Sequence, residues 1–242
     1  MENIPLTWLP HYLAPVLSVS FFVVGFLIYH FTSISQKIAN RFFNRWGEVG
    51  QIIYFVYFQR VTGFVFIGAI PFLLTGAISG QNFTEFGIGF SFTTSNLLWI
   101  LSLVAVVVTV NFFTCRKPSM WQEYPRIRVG RWNRKVLFFS ALTWVLYLIG
   151  YELTFRGLLL FTYTYTFGAI PAIIINLSFY CFAHVSQGIK ESVGSIPFGI
   201  IMCVITLTTG TVWIAVIVHI ALALSNEWMC IAFNPKISIV KS

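Results

Sequence analysis

From Ser192 to Asn226 the chain carries no Asp, Glu, Lys or Arg. A bilayer core of about 30 Å is crossed by about 20 apolar helical residues. The stretch is therefore too long for one span, and Thr208-Thr209-Gly210-Thr211 is the natural place to turn it. The same reading predicts seven spans, at about Leu13–Phe31, Val61–Ser79, Leu97–Cys115, Val136–Phe161, Ala169–Gln187, Ser192–Thr208 and Thr211–Trp228, the sixth of them short. Hydrophobic residues make up 57% of the 242 and charged residues 9%. Soluble domains carry about 25% charged residues, so a soluble fold, disorder and a collagen-like repeat are excluded. The cysteines stand singly at 115, 181, 203 and 230, which argues against a disulfide scaffold and a structural zinc site. The expected class is all-α, a polytopic transmembrane helix bundle of about seven spans.

The charges set its orientation. Fifteen Lys and Arg face seven Glu, for a net charge of +8. A basic balance can indicate nucleic acid, but these residues sit in the connections between apolar runs. Lys37, Arg41, Arg45 and Arg60 fall in the first connection, and Arg116 to Lys135 hold seven more in the third. The second, about Gly80 to Ser95, holds none. With seven spans, Lys190, Lys236 and Lys241 fall on the same side as the basic connections, so all but Arg156 are expected to be cytoplasmic. The N-terminus is then outside and the C-terminus inside. The start of the chain lacks a basic region before its first apolar run, so it does not read as a cleavable signal peptide. The expected partner is the lipid bilayer, with no nucleic acid. Ile34–Gly50, alternating Phe and Trp with Arg and Lys, reads as an amphipathic helix on the inner leaflet. Trp121 and Trp132 read as interfacial anchors of the third connection.

Function belongs where a membrane helix tolerates a costly residue. A Lys, Arg or Asp at a helix centre costs roughly 2.5–3.5 kcal/mol on insertion scales, and such residues are functional candidates by default. Here they are Glu152 and Arg156 in the fourth span, His184 in the fifth, His219 in the seventh, and Glu227 near its end. Glu152 and Arg156, four apart, share a helix face and could simply neutralise each other. A lone buried imidazole could simply bond a carbonyl of the next helix. Yet Glu152, His184 and His219 recur at intervals close to the repeat of antiparallel spans, which returns them to similar depths. One polar cavity open toward the cytoplasm is expected to be lined by all three. A carboxylate and two imidazoles there could activate a water and stabilise an oxyanion.

These residues carry a resemblance. Tyr151-Glu152-Leu153-Thr154-Phe155-Arg156-Gly157 is similar to the EExxxRG motif of the CPBP family, the CAAX-protease and bacteriocin-processing intramembrane proteases, also called the Abi family. Tyr180-Cys181-Phe182-Ala183-His184 resembles its FxxxH motif, and His219 matches the family's late His. The likeness covers about Val136–Trp228 and implies a CAAX-protease-like core of membrane helices around a conical cavity. In the family the first Glu and the second-motif His activate water, and the late His, with an Asn four residues on, holds the oxyanion. Here the first Glu position is Tyr151 and the Asn position is Ala223, while Asn226 lies on the same face one turn further.

The resemblance implies an intramembrane endopeptidase cleaving a membrane-associated or lipid-modified peptide. Glu152 is expected to be the base, helped by His184 and held by Arg156, with His219 and either Tyr151 or Asn226 polarising the scissile carbonyl. The alternative is a catalytically inactive scaffold that binds a membrane partner. No cofactor is expected, although Glu152, His184 and His219 could together hold zinc. The expected division is residues 1–135 as three N-terminal spans with basic cytoplasmic loops, 136–233 as the catalytic core and 234–242 as a cytoplasmic tail. A multi-pass protein of the bacterial inner (plasma) membrane is the expected setting.

Overall fold

The computed structural model describes residues 8–89, 93–185 and 188–240. Gln187, at the expected end of the fifth span, and Lys241 in the tail lie outside the described residues. Among the described residues nine α-helical segments follow one another: α1 (Leu13–Ser33), α2 (Gln36–Gly63), α3 (Ile70–Ser79), α4 (Thr94–Thr114), α5 (Arg134–Glu152), α6 (Leu160–Phe167), α7 (Ala169–His184), α8 (Ile189–Thr209) and α9 (Trp213–Phe233). Two π-helical segments, Phe64–Ala69 and Leu153–Leu159, join α2 to α3 and α5 to α6 without a break. Six of the resulting rods are long and apolar enough to cross a membrane, and α7 is a shorter apolar helix. The expected transmembrane helix bundle is thus the observed one.

The short span is not the one expected. α8 has 21 residues because Glu191 is taken into its first turn, while α7 has 16. At 1.5 Å per residue α7 is about 24 Å long. The second rod runs 44 residues, from Gln36 to Ser79. Its first part is the amphipathic stretch of Lys37, Arg41 and Arg45, opened by Ser35, whose hydroxyl accepts from the Ile38 amide. Gly47, at φ 69° and ψ −174°, then breaks the helix. That backbone is open to glycine and strained for other residues.

Arg60 is a second correction. It is not in a connection but inside α2, 5% exposed and paired with Glu227 of α9. The connection from Arg116 to Asn133 differs as well. Trp132 is fully buried, packed with Ile127, Val129 and Ile231, so it is a core residue and not an interfacial anchor. Its strand β1 (Arg131–Trp132) pairs in parallel with β2 (Ser238–Ile239), which ties the tail to this connection. Trp121 donates its indole N–H to the Cys115 carbonyl at 2.8 Å.

The core lies where α1, the two π segments, α5 and α7 meet, with Phe22, Ile67, Tyr151, Phe155, Leu159 and Tyr180 buried together. The N-terminal helices are part of this core. Only 6% of the apolar window of α4 is buried, so α4 is the outermost rod, packed on α9 and turning Leu98, Leu101 and Phe113 outward to lipid. The backbones of the second rod and α5 cross closely at Gly68 and Gly150. A Cβ on Gly68 would stand 2.3 Å from the Gly150 Cα. Gly68→Ala must therefore separate two backbones, and a loss of about 1–3 kcal/mol is expected, the usual cost of overpacking. Thermal melting in detergent measures it, and an unchanged midpoint would contradict this crossing.

Candidate active site

The charged and imidazole side chains converge where α5 gives way to its π segment. Extra turns of this kind recur at functional sites. Glu152, the last residue of α5, is fully buried. Its Oε1 lies 2.5 Å from Nδ1 of His219 on α9. Its Oε2 lies 3.5 Å from Nε of Arg156. Arg156 is fully buried too, its guanidinium 4.4 Å over the Tyr180 ring and Nη1 3.4 Å from the Asn176 side-chain oxygen. Asn176 in turn donates to the Phe155 carbonyl and accepts from the Cys203 thiol at 3.3 Å. Arg156 therefore stands as the ion-pair partner of Glu152 from the next turn and also joins the fourth rod to α7.

His184 ends α7. Its Nδ1 is 2.8 Å from the Tyr180 carbonyl. A carbonyl only accepts, so Nδ1 carries the proton and Nε2 is the bare nitrogen. The same logic applies to His219, whose Nδ1 faces a carboxylate. The Tyr151 ring stands edge-on to both imidazoles, at 6.0 Å from His184 and 5.9 Å from His219. Its hydroxyl lies 3.3 Å from His184 Nδ1. Phe198 of α8 covers His219 at 5.2 Å between centroids.

A cavity of about 650 Å³ opens in front of these groups. Tyr151, His184 and His219 line it, and it extends past Tyr147 and Trp144 to His30, Ile34, Tyr124 and Arg126 at the basic end of the bundle. Glu152 does not line it, which corrects the expected arrangement. Its side chain is 0% exposed, against 12% for His219, because the imidazole stands in front of the carboxylate. Asn226 lines the cavity, but seven residues place it about 10 Å along the axis from His219. Its side-chain oxygen accepts from the Cys115 thiol at 3.3 Å. Ala223, one turn from His219, presents only a methyl group.

The three groups considered for zinc do not gather around a common point. Glu152 Oε1 is spent on Nδ1 of His219 and Nδ1 of His184 on a carbonyl, which leaves Nε2 bare on both rings, the tautomer found in metal-free and metal-ligating histidines alike. Among the described residues no three His, Cys, Asp or Glu side chains form a group that could hold a metal ion.

Sequence reasoning missed three participants. Asn176 is a polar residue in the middle of an apolar helix, which was signal enough to mark it. Arg60 read as a flanking charge because it stands directly before the apolar run that starts at Val61. Trp144 was one aromatic among many.

Residues 133–225 match the family model described as Type II CAAX prenyl endopeptidase Rce1-like. The match holds Glu152, Arg156, His184 and His219, and it agrees with the CPBP resemblance carried by their motifs. No curated protein and no solved structure matches the chain.

Proposed function

We propose that the chain is an intramembrane endopeptidase whose base is His219, backed by Glu152. The family likeness supports a CAAX-type endopeptidase at the level of the family. The observation that carries the mechanism is the contact between a sealed carboxylate and a cavity-facing imidazole. A carboxylate on Nδ1 holds the ring in one tautomer and stabilises the imidazolium that forms when Nε2 takes a proton, the division of labour in Asp–His pairs of hydrolases. His219 Nε2 removes a proton from a water in the cavity, and His184 Nε2 accepts the water's other hydrogen and orients it. The water oxygen attacks the scissile carbonyl, and the Tyr151 hydroxyl donates to the oxygen that becomes negative. His219 then passes its proton to the leaving amine, so acid and base are one group. Arg156 supplies the counter-charge behind Glu152. This reading moves the base from Glu152 to His219, because a carboxylate out of contact with the cavity cannot reach a water there. It calls on no resident metal or cofactor.

The substrate enters from the basic end, which the charge bias places on the cytoplasmic side, and the proposed setting is a bacterial inner membrane. The apolar and aromatic walls suit a membrane-associated or lipid-modified peptide. The orientation is checked by single cysteines at Thr84 and Ser119, both exposed. A membrane-impermeant maleimide should label them from opposite sides, and labelling from one side would refute the orientation.

The second reading, an inactive scaffold, is favoured by Tyr151 and Ala223 at positions where the family carries Glu and Asn. The deciding experiment maps peptide termini in membranes of cells making the wild type or His219→Ala. Termini produced only by the wild type support the endopeptidase. An identical set, with both proteins inserted at equal levels, supports the scaffold.

A further inference from the structure

A second buried ion pair lies outside the segment that matches the family and is not used by the proposed chemistry. Arg60 of α2 places Nη2 3.0 Å from Oε2 of Glu227 on α9. Its Nη1 donates to the Ser140 hydroxyl at 2.9 Å and to the Ser140 carbonyl at 3.0 Å. The Ser140 hydroxyl donates to Glu227 Oε1. The Trp144 indole N–H donates to Glu227 Oε2 at 2.8 Å, and the Arg60 guanidinium lies 4.0 Å over the Trp144 ring. The Glu227 carboxylate thus accepts from three side chains on two helices, and nothing in the cavity chemistry calls for it.

Its position along the helices suggests its use. α5 and α9 run antiparallel, and two polar rungs join them. One is Glu152 to His219, the other Trp144 to Glu227. The rungs are eight residues apart on both helices, about 12 Å. Equal spacing means that one register satisfies both. A slip of one residue at the lower rung would carry His219 about 1.5 Å along the axis, enough to break a 2.5 Å contact. On the side toward α5, Ala223 between the rungs offers no polar contact, and the polar contacts of α9 at this level, from Asn111 to Leu222 and Ser225 and from Cys115 to Asn226, go to α4 and its C-cap, so the α5–α9 register rests on the two rungs.

We infer that Arg60 and Glu227 are positioning residues, a register clamp that holds His219 against Glu152. The inference rests on the reading of His219 and Glu152 as the reacting pair. The clamp belongs to this chain's α2 and to the last turns of α9.

The test reads His219 directly and needs no substrate. The full chain in detergent is treated with diethyl pyrocarbonate, which acylates the bare nitrogen of a neutral imidazole, and the rates at His219 and His184 are followed by mass spectrometry. His184, on α7, has its hydrogen-bond contacts with Tyr180 and Tyr151 and is the internal reference. The variant Arg60→Met/Glu227→Met removes both charges and fills the space, a replacement that proteins often accept without loss of stability. The expected result is a fall of fivefold or more in the ratio of the His219 rate to the His184 rate, with the Arg60→Lys variant restoring part of it. A ratio within twofold of the wild type overturns the clamp, and so does a change that His184 shares. If the double variant does not fold, Glu227→Gln, which keeps shape and removes charge, is measured against the same limits. Loss of cleavage in His219→Ala is a separate measurement, so the clamp and the proposed chemistry can fail independently.

Discussion

Cleavage by the Glu152→Gln variant is expected to fall about 10⁴-fold, the loss seen when the carboxylate behind a catalytic imidazole becomes an amide. The amide can donate to Nδ1, which turns the proton onto Nε2 and leaves the cavity-facing nitrogen unable to accept. His219→Ala removes the base itself and is expected to cost a similar amount. Because the two act as a unit, the double variant should be no slower than the worse single one. Tyr151→Phe should be milder, about 10²–10³-fold, the effect of removing one oxyanion donor. The measurement is turnover of a processed peptide found by terminus mapping, in proteoliposomes holding equal amounts of folded protein. If the Glu152 and His219 losses multiply, they act independently and the dyad is wrong. If Tyr151→Phe is unchanged, the phenol is packing and the oxyanion donor lies elsewhere.

Arg156→Met is expected to destabilise the protein by about 3–5 kcal/mol, the usual cost of leaving a buried charge without its partner. Three effects combine. Glu152 loses its counter-charge at Oε2, the Asn176 side-chain oxygen loses a donor, and the face of Tyr180 loses its cation. None of these groups reaches water, since Glu152 and Arg156 are fully buried and Asn176 and Tyr180 nearly so. Unfolding in a titrated denaturing detergent, followed by tryptophan fluorescence, gives the difference. The double variant Arg156→Met/Glu152→Gln should recover much of the loss while remaining inactive. A single-variant loss below about 1 kcal/mol would place Arg156 among surface-like ion pairs and contradict the sealed site.

Much of this was legible from residue order. Apolar runs between basic connections predict rods in a bilayer because unpaired backbone groups and charges are both costly in hydrocarbon. Rare ionisable residues inside those runs stand out for the same reason, and in the fold His184 and His219 both pack on Tyr151, with Glu152 against His219 and Arg156 against Glu152. The turn at Gly210 and a helix within Ile34–Gly50, though not its start at Gln36 or its break at Gly47, were also visible in residue type.

Residue order did not say which group faces the cavity. Glu152 and His219 are equally polar as letters, and only the packing of α9 across the end of α5 puts the imidazole in front and the carboxylate behind. Nor could it reveal that Arg60 is inside the bundle. A charge at the edge of an apolar run looks the same whether it snorkels to the interface or is swallowed by two neighbouring helices. The local pattern determines that a segment lies in the membrane and roughly how deep, because transfer free energy is a property of each side chain and its near neighbours. Register between helices far apart in the chain, such as Glu152 with His219 and Arg60 with Glu227, depends on side chains that meet only after folding, so the tertiary structure alone decided it.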